Sequence, residues 1–282
     1  LNQTTVPPGV TLSSDTNIFL TADQGAITQV GGNILANNLI LSTNQGMTGT
    51  EANDGLMTNV NHVSAINKTS GDVRIANDKT LTVTDLSSLQ GLNAGVVEHN
   101  GISNNAVGDK VNILTAGDLA IEAPIHAKGD INLKAEDNIT HSVQGDIVID
   151  NGAVLSLNPP KNVTSPSHQI SEWTNNNTID VTWQLPDRDP GCCGSYTAEA
   201  GGAYTMGNGS AIKTNSGDTT ITANKDVALT LIDSGNGKAN ITSHNGLIID
   251  HDLQTAPTDF DVMAANIKLN APNGSIGGAG AG

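Results

Sequence analysis

The sequence predicts an all-β fold of the parallel β-helix (β-solenoid) type, and three observations lead to this prediction. A short phrase returns along the chain: a small or acidic residue, then apolar residues at alternate positions, often closed by Ala. Aromatic residues make up only 2% of the 282 residues and hydrophobic residues 37%, so the interior must be thin and aliphatic. The 31 glycines, with many Asn and Asp residues, supply frequent turns. Repeated short strands joined by such turns are typical of a solenoid.

The individual strands follow from this alternation of apolar and polar residues. Gly-Asp pairs such as Gly117-Asp118, Gly129-Asp130 and Gly145-Asp146 mark the turns between them. Two or three phrases complete one coil of roughly 20 residues, which adds about 4.8 Å along the axis. No segment has the sustained spacing of an amphipathic helix, so no helix is predicted. The clearest strands are 17–22, 72–76, 118–123, 130–135, 146–149 and 266–271.

The regularity of the pattern divides the chain into parts. An irregular lead-in is predicted at 1–16, and residues 44–70 are either a looped-out excursion or coils with a degraded pattern. Residues 159–205 hold both Trp, both Tyr, both Cys and half of the prolines, which predicts one inserted loop or small module. The predicted parts are coils at 1–158, the insertion at 159–205, coils at 206–276 and a linker-like Gly/Ala tail at 277–282.

The charge of the chain argues against nucleic acid as a partner. The formal net charge is -16 with only 12 Lys and Arg residues, whereas neutralising phosphates requires a basic surface. We interpret the acidity as a source of solubility. Calcium binding by acidic turns is the alternative, and no other cofactor is predicted. No stretch approaches the roughly 18 apolar residues of a membrane span, so none is predicted.

The first residues and the two cysteines say less about the setting of the protein than the net charge does. The chain begins at Leu1 without a basic and apolar signal segment, so we expect it to start inside a longer precursor or after cleavage. Cys192 and Cys193 are neighbours, and a disulfide between them would close a strained ring. Two free thiols, or cross-links to another chain, are the alternatives.

Two other repeat or all-β folds fit the sequence less well. A leucine-rich repeat requires a recurring Leu-x-x-Leu-x-Leu-x-x-Asn frame, which this chain lacks. An antiparallel sandwich uses longer strands around an aromatic core, a pattern absent outside 159–205. In a parallel β-helix, by contrast, Asn and Thr side chains stack coil on coil, which suits the Thr-rich phrases at 80–84 and 219–222.

Several phrases resemble the repeats of filamentous-haemagglutinin-like bacterial exoproteins. They are 20–29 together with 39–42, then 117–135, and then 265–277. The resemblance implies a right-handed parallel β-helix in a large surface or secreted protein that acts in adhesion or as a stalk. Residues 167–183 resemble the opening of a bacterial Ig- or fibronectin-III-like module. The solenoid pattern returns soon after Tyr204, so we expect a truncated remnant of such a module.

No set of residues in the sequence predicts catalysis. Asp118, Asp130 and Asp146 are the candidate acids for polysaccharide cleavage, which requires two carboxylates about 5 to 9.5 Å apart. Each follows a Gly, however, which predicts turn carboxylates that accept hydrogen bonds from neighbouring backbone N–H groups. The densest ionisable cluster, Asp250-His251-Asp252, is interpreted as a solvated turn. No catalytic, cofactor-binding or metal-binding residue is therefore predicted.

The expected function is that of a non-catalytic rod, extracellular or on a bacterial cell surface, which presents loops for binding. The alternative is a subunit of an extracellular filament built by head-to-tail stacking, and a polysaccharide-cleaving β-helix enzyme is a lesser alternative. The expected partners are other copies of the chain, or a host or cell-surface ligand such as a glycan. The candidate recognition residues are Trp173, Trp183, Tyr196 and Tyr204, and the candidate cross-linking residues are Cys192 and Cys193.

Overall fold

The computed structural model describes residues 4–49, 55–89, 99–150, 167–168, 178–182, 194–251 and 261–277. These residues form strands joined by turns and bends, and no helix occurs among them. The strands in chain order are β1 (Thr4–Val6), β2 (Leu12–Ser13), β3 (Asn17–Ala22), β4 (Ile27–Gln29), β5 (Ile34–Thr43), β6 (Met47–Gly49), β7 (Leu56–Asn67), β8 (Val73–Asn77), β9 (Leu81–Val83), β10 (Ile102–Asn104), β11 (Val111–Thr115), β12 (Leu119–Ile121), β13 (Ile125–Ala127), β14 (Ile131–Ala135), β15 (Ile139–His141), β16 (Ile147–Ile149), β17 (Ser167–His168), β18 (Thr178–Thr182), β19 (Tyr196–Ala200), β20 (Tyr204–Thr205), β21 (Ala211–Lys213), β22 (Thr219–Ala223), β23 (Val227–Leu229), β24 (Leu231–Ser243), β25 (Ile248–Asp250) and β26 (Val262–Asn270).

The strand pairings define three parallel stacks, which we call face 1, face 2 and face 3. Face 1 contains β1, β4, β6, β8, β11, β14, β19, β22 and the C-terminal parts of β24 and β26. Face 2 contains β2, β9, β12, β15, β20, β23 and β25. Face 3 contains β3, β10, β13, β16, β21 and the N-terminal parts of β24 and β26. The long strands β5 and β7 pass from face 2 into face 3. On face 2, β5 pairs with β2 and β7 with β9; on face 3, β5 pairs with β3 and β7 with β10. Because successive strands belong to successive faces, the chain winds as a three-sided parallel coil, and the predicted fold class is confirmed.

The register shows how long each coil is. Asn112 and Asn132, at matching positions of β11 and β14, are 20 residues apart. The matching step from Asp130 to Ser195 is 65 residues, and that from Asp72 to Lys110 is 38 residues. The two longer steps hold insertions that leave the coil between β16 and β19 and between β9 and β10. The coils on either side of an insertion stay in parallel register.

The structure differs from three of the predicted boundaries. The expected lead-in at 1–16 already contains β1 and β2, which pair with β4 and β5. Within 44–70, β6 and β7 pair in register with the neighbouring coils, which agrees with degraded coils and not with a looped-out excursion. The solenoid resumes at Gly194 and not at 206, because β19 and β20 pair with β14 and β15. The strand expected at 153–157 lies outside the described residues.

A single apolar core runs through the middle of the coils, from Ala22 to Ile276. Alternate residues of each short strand point inward, so side chains of one column stack directly on one another. The interior is mostly aliphatic because the three faces leave room for only one layer of side chains from each. One column of paired inward positions consists of Ile27, Met47, Val73, Val111, Ile131, Tyr196, Thr219, Ala239 and Ile267.

Buried Asn side chains hold the corners of the early coils. The Asn67 side chain accepts a hydrogen bond from the Gly46 N–H and donates to Oδ1 of Asn104 one coil away, at 2.9 Å in each case. At another corner, Oδ1 of Asn77 accepts from the Thr58 hydroxyl at 2.8 Å and the Val60 N–H at 2.9 Å. Both amides are buried, so they satisfy backbone groups that the turns would otherwise leave without partners.

We predict that Asn77→Ala lowers the free energy of unfolding by about 2 to 4 kcal/mol, because it removes the acceptor of the Thr58 hydroxyl and of the buried Val60 N–H. Asn112→Ala is the control, since Asn112 hydrogen-bonds Asn132 on the outer surface. The control should cost less than about 1 kcal/mol. Urea unfolding followed by circular dichroism measures both variants, and equal losses would contradict the assignment.

Candidate functional site on the outer surface of face 1

The structure does not gather the predicted recognition residues into one surface. Trp173, Trp183, Cys192 and Cys193 lie outside the described residues. Tyr196 and Tyr204 have no exposed surface and belong to the apolar core. A residue that recognises a partner must be exposed, so the expectation of a docking role for the two tyrosines is corrected to a role in the interior.

The two tyrosines and His141 form a buried chain of hydrogen bonds. Nδ1 of His141 lies 2.9 Å from the Gly145 carbonyl oxygen, so this nitrogen carries the proton and donates it. Nε2 then accepts from the Tyr204 hydroxyl at 2.8 Å. The Tyr196 hydroxyl, 2.9 Å from that of Tyr204, donates to the Tyr204 oxygen. Each of these three polar side chains therefore has a hydrogen-bond partner, so burying them in the apolar interior does not cost much folding free energy.

Burial also fixes the protonation states of this chain of side chains. It lowers the pKa of His141 to about 4, although the Gly145 carbonyl and the Asp146 charge act in the opposite direction. Burial raises the pKa of both tyrosines, and for Tyr204 the neighbouring Tyr196 raises it further. At neutral pH the imidazole and both phenols are uncharged. The three side chains are therefore an uncharged, hydrogen-bonded part of the packed interior at neutral pH.

The three candidate carboxylates lie at three different corners of the coil. Asp118 precedes β12 on face 2, Asp130 precedes β14 on face 1, and Asp146 precedes β16 on face 3. In each case Oδ1 accepts a backbone N–H from the neighbouring coil: that of Asn138 at 3.0 Å, Ser195 at 2.9 Å and Ala211 at 2.8 Å. The three carboxylates thus act as acceptors between coils, and they do not form a pair across a cleft.

Asp130 has additional partners. Its Oδ1 also accepts from the Ser195 hydroxyl at 3.1 Å, and Oδ2 lies 3.2 Å from Nζ of Lys110. Burial alone would raise the pKa of Asp130, but the hydrogen bonds from Ser195 and the charge of Lys110 hold it below the usual range. An ionised carboxylate at this corner fastens the first coil after the long insertion to the coil before it.

The described residues contain no group of three or more His, Cys, Asp or Glu side chains arranged to hold a metal ion. Of the cluster at 250–252, Asp252 lies outside the described residues. Nδ1 of His251 is 2.6 Å from the Met206 carbonyl oxygen, to which it donates. His251 therefore connects the turn after β25 to the segment after β20. Among the described strands and turns there is also no helix with the length and hydropathy needed to cross a bilayer.

Two adjoining shallow clefts lie along the outside of face 1, and together we call them the groove. Their volumes are about 400 and 300 Å³, and both are lined by Lys134 and Glu199. The strands position these side chains because every second residue of a face-1 strand points outward. The groove extends from β8 to the turn after β24, a distance of roughly 24 Å at about 4.8 Å per coil. Its outward side chains include Arg74, Asn112, Asn132, Thr197, Thr222, Asn224 and His244.

The groove offers polar groups without a strong net charge. Nζ of Lys134 lies 3.2 Å from the Glu199 carboxylate, and each side chain is 56% exposed. The Arg74 guanidinium lies 2.6 Å from the Asp72 carboxylate. Nδ2 of Asn132 donates to Oδ1 of Asn112 at 2.8 Å, so amides of adjacent coils are aligned along the axis. A surface ion pair as exposed as Lys134–Glu199 contributes little stability.

The groove is not evident from the order of residues alone, although one phrase of the sequence indicates it. The outward positions of 111–115, 131–135 and 196–200 are individually ordinary polar residues, and only the register aligns them. Residues 194–200 show the same alternation of inward and outward positions as the other strands, but the inward positions hold Tyr and Ala and not Ile and Leu. Recognising that phrase as a strand would have placed Thr197 and Glu199 beside Asn132 and Lys134.

No family model matches the chain, and neither a curated protein nor a solved structure matches it.

Asp118 provides a test of the acceptor role. We predict that Asp118→Ala lowers the free energy of unfolding by about 1 to 3 kcal/mol, because Asn138 loses the partner of its backbone N–H and its side-chain amide. Asp118→Asn keeps an acceptor oxygen and should lose less than half as much. Thermal and urea unfolding of both variants check this. A loss from Asp118→Asn equal to that from Asp118→Ala would mean that the charge, and not the acceptor, matters.

His141 provides a pH-dependent test. Below its ordinary pKa of 6.5, unfolded His141 binds a proton that folded His141 does not bind until the pH reaches about 4. The unfolded state is therefore favoured as the pH falls through this window, by up to about 3 kcal/mol. We predict that His141→Gln removes this slope, while His126→Gln, at an exposed position of β13, leaves it unchanged. Parallel pH profiles for wild type and His141→Gln would contradict the assignment.

Proposed function

We propose that the chain is a non-catalytic rod of a bacterial cell-surface or secreted protein, and that face 1 binds extended neutral polymers such as glycans. The resemblance to filamentous-haemagglutinin-like repeats supports the setting and the adhesive role. The main observation in support of a binding surface is the pair of adjoining clefts along face 1, whose polar lining residues come from successive coils.

The geometry of the groove favours a long ligand over a small one. Its polar groups recur at the coil spacing of about 4.8 Å, close to the length of one sugar unit in an extended glycan. Amides and hydroxyls such as those of Asn112, Asn132 and Thr197 can both donate and accept hydrogen bonds, which matches sugar hydroxyls. Each coil then contributes one weak contact, and a polymer that spans several coils gains affinity through their number.

The electrostatics favour a neutral ligand over an acidic one. The protein has a net charge of -16, so an acidic polysaccharide is repelled as it approaches. Two cations of the groove, Arg74 at its β8 end and Lys134 near its centre, are already paired with carboxylates. The described residues that line the two clefts include no Phe, Tyr or Trp, so we expect low affinity from each single contact.

The polysaccharide-cleaving alternative has less support. Asp118, Asp130 and Asp146 lie at three different corners and accept hydrogen bonds from neighbouring coils. Glu136 and Glu199 are the carboxylates that line the groove, and Glu199 is ion-paired with Lys134. Release of reducing ends from a panel of polysaccharides is the direct assay for this alternative.

The binding proposal is tested by affinity electrophoresis in gels that contain a soluble neutral polysaccharide (hydroxyethyl cellulose, xyloglucan or dextran) or an acidic one (alginate or heparin). We predict retardation by at least one neutral polymer and by neither acidic one. Asn132→Ala combined with Lys134→Ala should weaken the retardation about fivefold or more, because each lost hydrogen bond contributes about 0.5 to 1.5 kcal/mol.

The matched control is Lys213→Ala, which removes one exposed Lys from face 3 and leaves the groove intact. Its retardation should equal that of the wild type. Equal weakening by the control and by the groove variant, or stronger binding to the acidic polymers, would contradict the proposal.

A further inference from the structure

The edge of β26 that faces away from β24 is already paired. β18 runs antiparallel to it, with Thr178 opposite Asn270 and Thr182 opposite Asn266. β17 continues the pairing, with Ser167 opposite Met263. All other strand pairings that the structure describes are parallel, so these two strands do not continue the coil.

The two pairing strands come from a distant part of the chain. β17 and β18 belong to the insertion between β16 and β19. On face 3, β16 pairs with β21, β21 with β24 and β24 with β26. The insertion therefore leaves the solenoid three coils away, about 14 Å along the axis, and its strands pair at the edge of β26. This is a long-range contact and not a local hairpin.

An uncovered edge at this position would be a docking surface. β26 spans nine residues, and an unpaired strand of that length presents a row of N–H and C=O groups that another strand can pair with. Parallel addition is the mode in which every coil of this chain already pairs. Within the described residues, β1, β2 and β3 each pair with a single strand. In a purified protein of residues 1–282, the second edge of these strands can therefore pair in parallel with the strand edge of another copy. A contact between two different edges leaves one free edge on each copy, so it does not form a closed oligomer. Repeated addition therefore builds a rod.

We propose that β17 and β18 cover the edge of β26 and thereby prevent a second copy of this chain from adding to it. An antiparallel strand stops the coil, since the next coil would have to run in the opposite direction. The register is continuous over five residues, from Thr178 opposite Asn270 to Thr182 opposite Asn266, so the backbone of β18 occupies the C-terminal half of this edge. The net charge of -16 on each copy opposes assembly as well, so an uncovered edge should recruit copies more strongly at high salt.

The test replaces Ile179 and Val181 together by Pro. Proline has no N–H to donate and is poorly tolerated in a paired strand, so β18 should leave the edge. The control replaces the same two residues by Thr, which keeps both N–H groups and a strand-forming side chain. Light scattering after size-exclusion chromatography, at several protein concentrations and at low and high salt, gives the mass. Negative-stain electron microscopy gives the length of the particles.

The wild type and the Thr control should remain at the monomer mass of 28.9 kDa. The Pro variant should reach twice that mass or more as protein concentration and salt increase, and its particles should be longer and no wider. Adding a synthetic peptide of residues 176–184 should return it to the monomer mass. A Pro variant that stays monomeric, or a wild type that assembles to the same extent, would overturn the proposal.

A second measurement does not depend on the Pro variant folding. In wild-type protein, hydrogen exchange of the β26 amides should be as slow as that of β22, which lies between two parallel neighbours. Fast exchange at the alternate β26 amides that point away from β24 would show that the edge is uncovered, and it would overturn the proposal.

Discussion

The spacing between coils, about 4.8 Å at every point of contact, is the constraint on which the rest of the structure depends. At the corner that leads into face 1, a Cβ on Gly129 would lie 2.2 Å from the Asp109 carbonyl oxygen, and one on Gly217 would lie 1.8 Å from that of Gly194. Only glycine fits there. The next residue is often Asp, whose carboxylate accepts an N–H from the following coil, as Asp218 does from Lys238 at 2.9 Å. In each recurring Gly-Asp pair, the Gly therefore packs against the coil below, and the Asp carboxylate accepts a hydrogen bond from the coil above.

The same spacing decides what the interior can hold. Each inward side chain rests on the matching side chain of the next coil, so a large residue requires a small one nearby. Tyr196 replaces an aliphatic residue in its column, and Ala198, two positions along the same strand, leaves room for it between Leu133 and Ile221. The hydroxyls then need partners, which Tyr204 and His141 supply. The coil that contains Tyr196 and Tyr204 is thus compatible with the stack, because a small neighbour compensates its volume and hydrogen bonds satisfy its polar groups.

Sequence alternation was sufficient to predict the fold class and most strands, because the contacts that select inward residues repeat every second position. It was insufficient for β1, β2 and much of β7, whose short or polar phrases form strands only because neighbouring coils pair with them. At Tyr196–Ala200 the composition of 159–205 predicts an insertion with exposed tyrosines, whereas the alternation there belongs to a strand whose Tyr196 side chain is buried. The groove and the cover on β26 could not be predicted, because both depend on which residues the register brings together across coils and across the insertion.

The location of the insertion links the groove to the covered edge. It leaves after β16 on face 3 and returns at Gly194, directly before the outward residues Thr197 and Glu199 of face 1. The carboxylate of Asp130 fastens this return through two hydrogen bonds from Ser195. A change in the pairing of β17 and β18 therefore need not disturb the groove, since its strands stay bonded to the coils on both sides. Edge covering and surface binding can for this reason be varied separately in one solenoid.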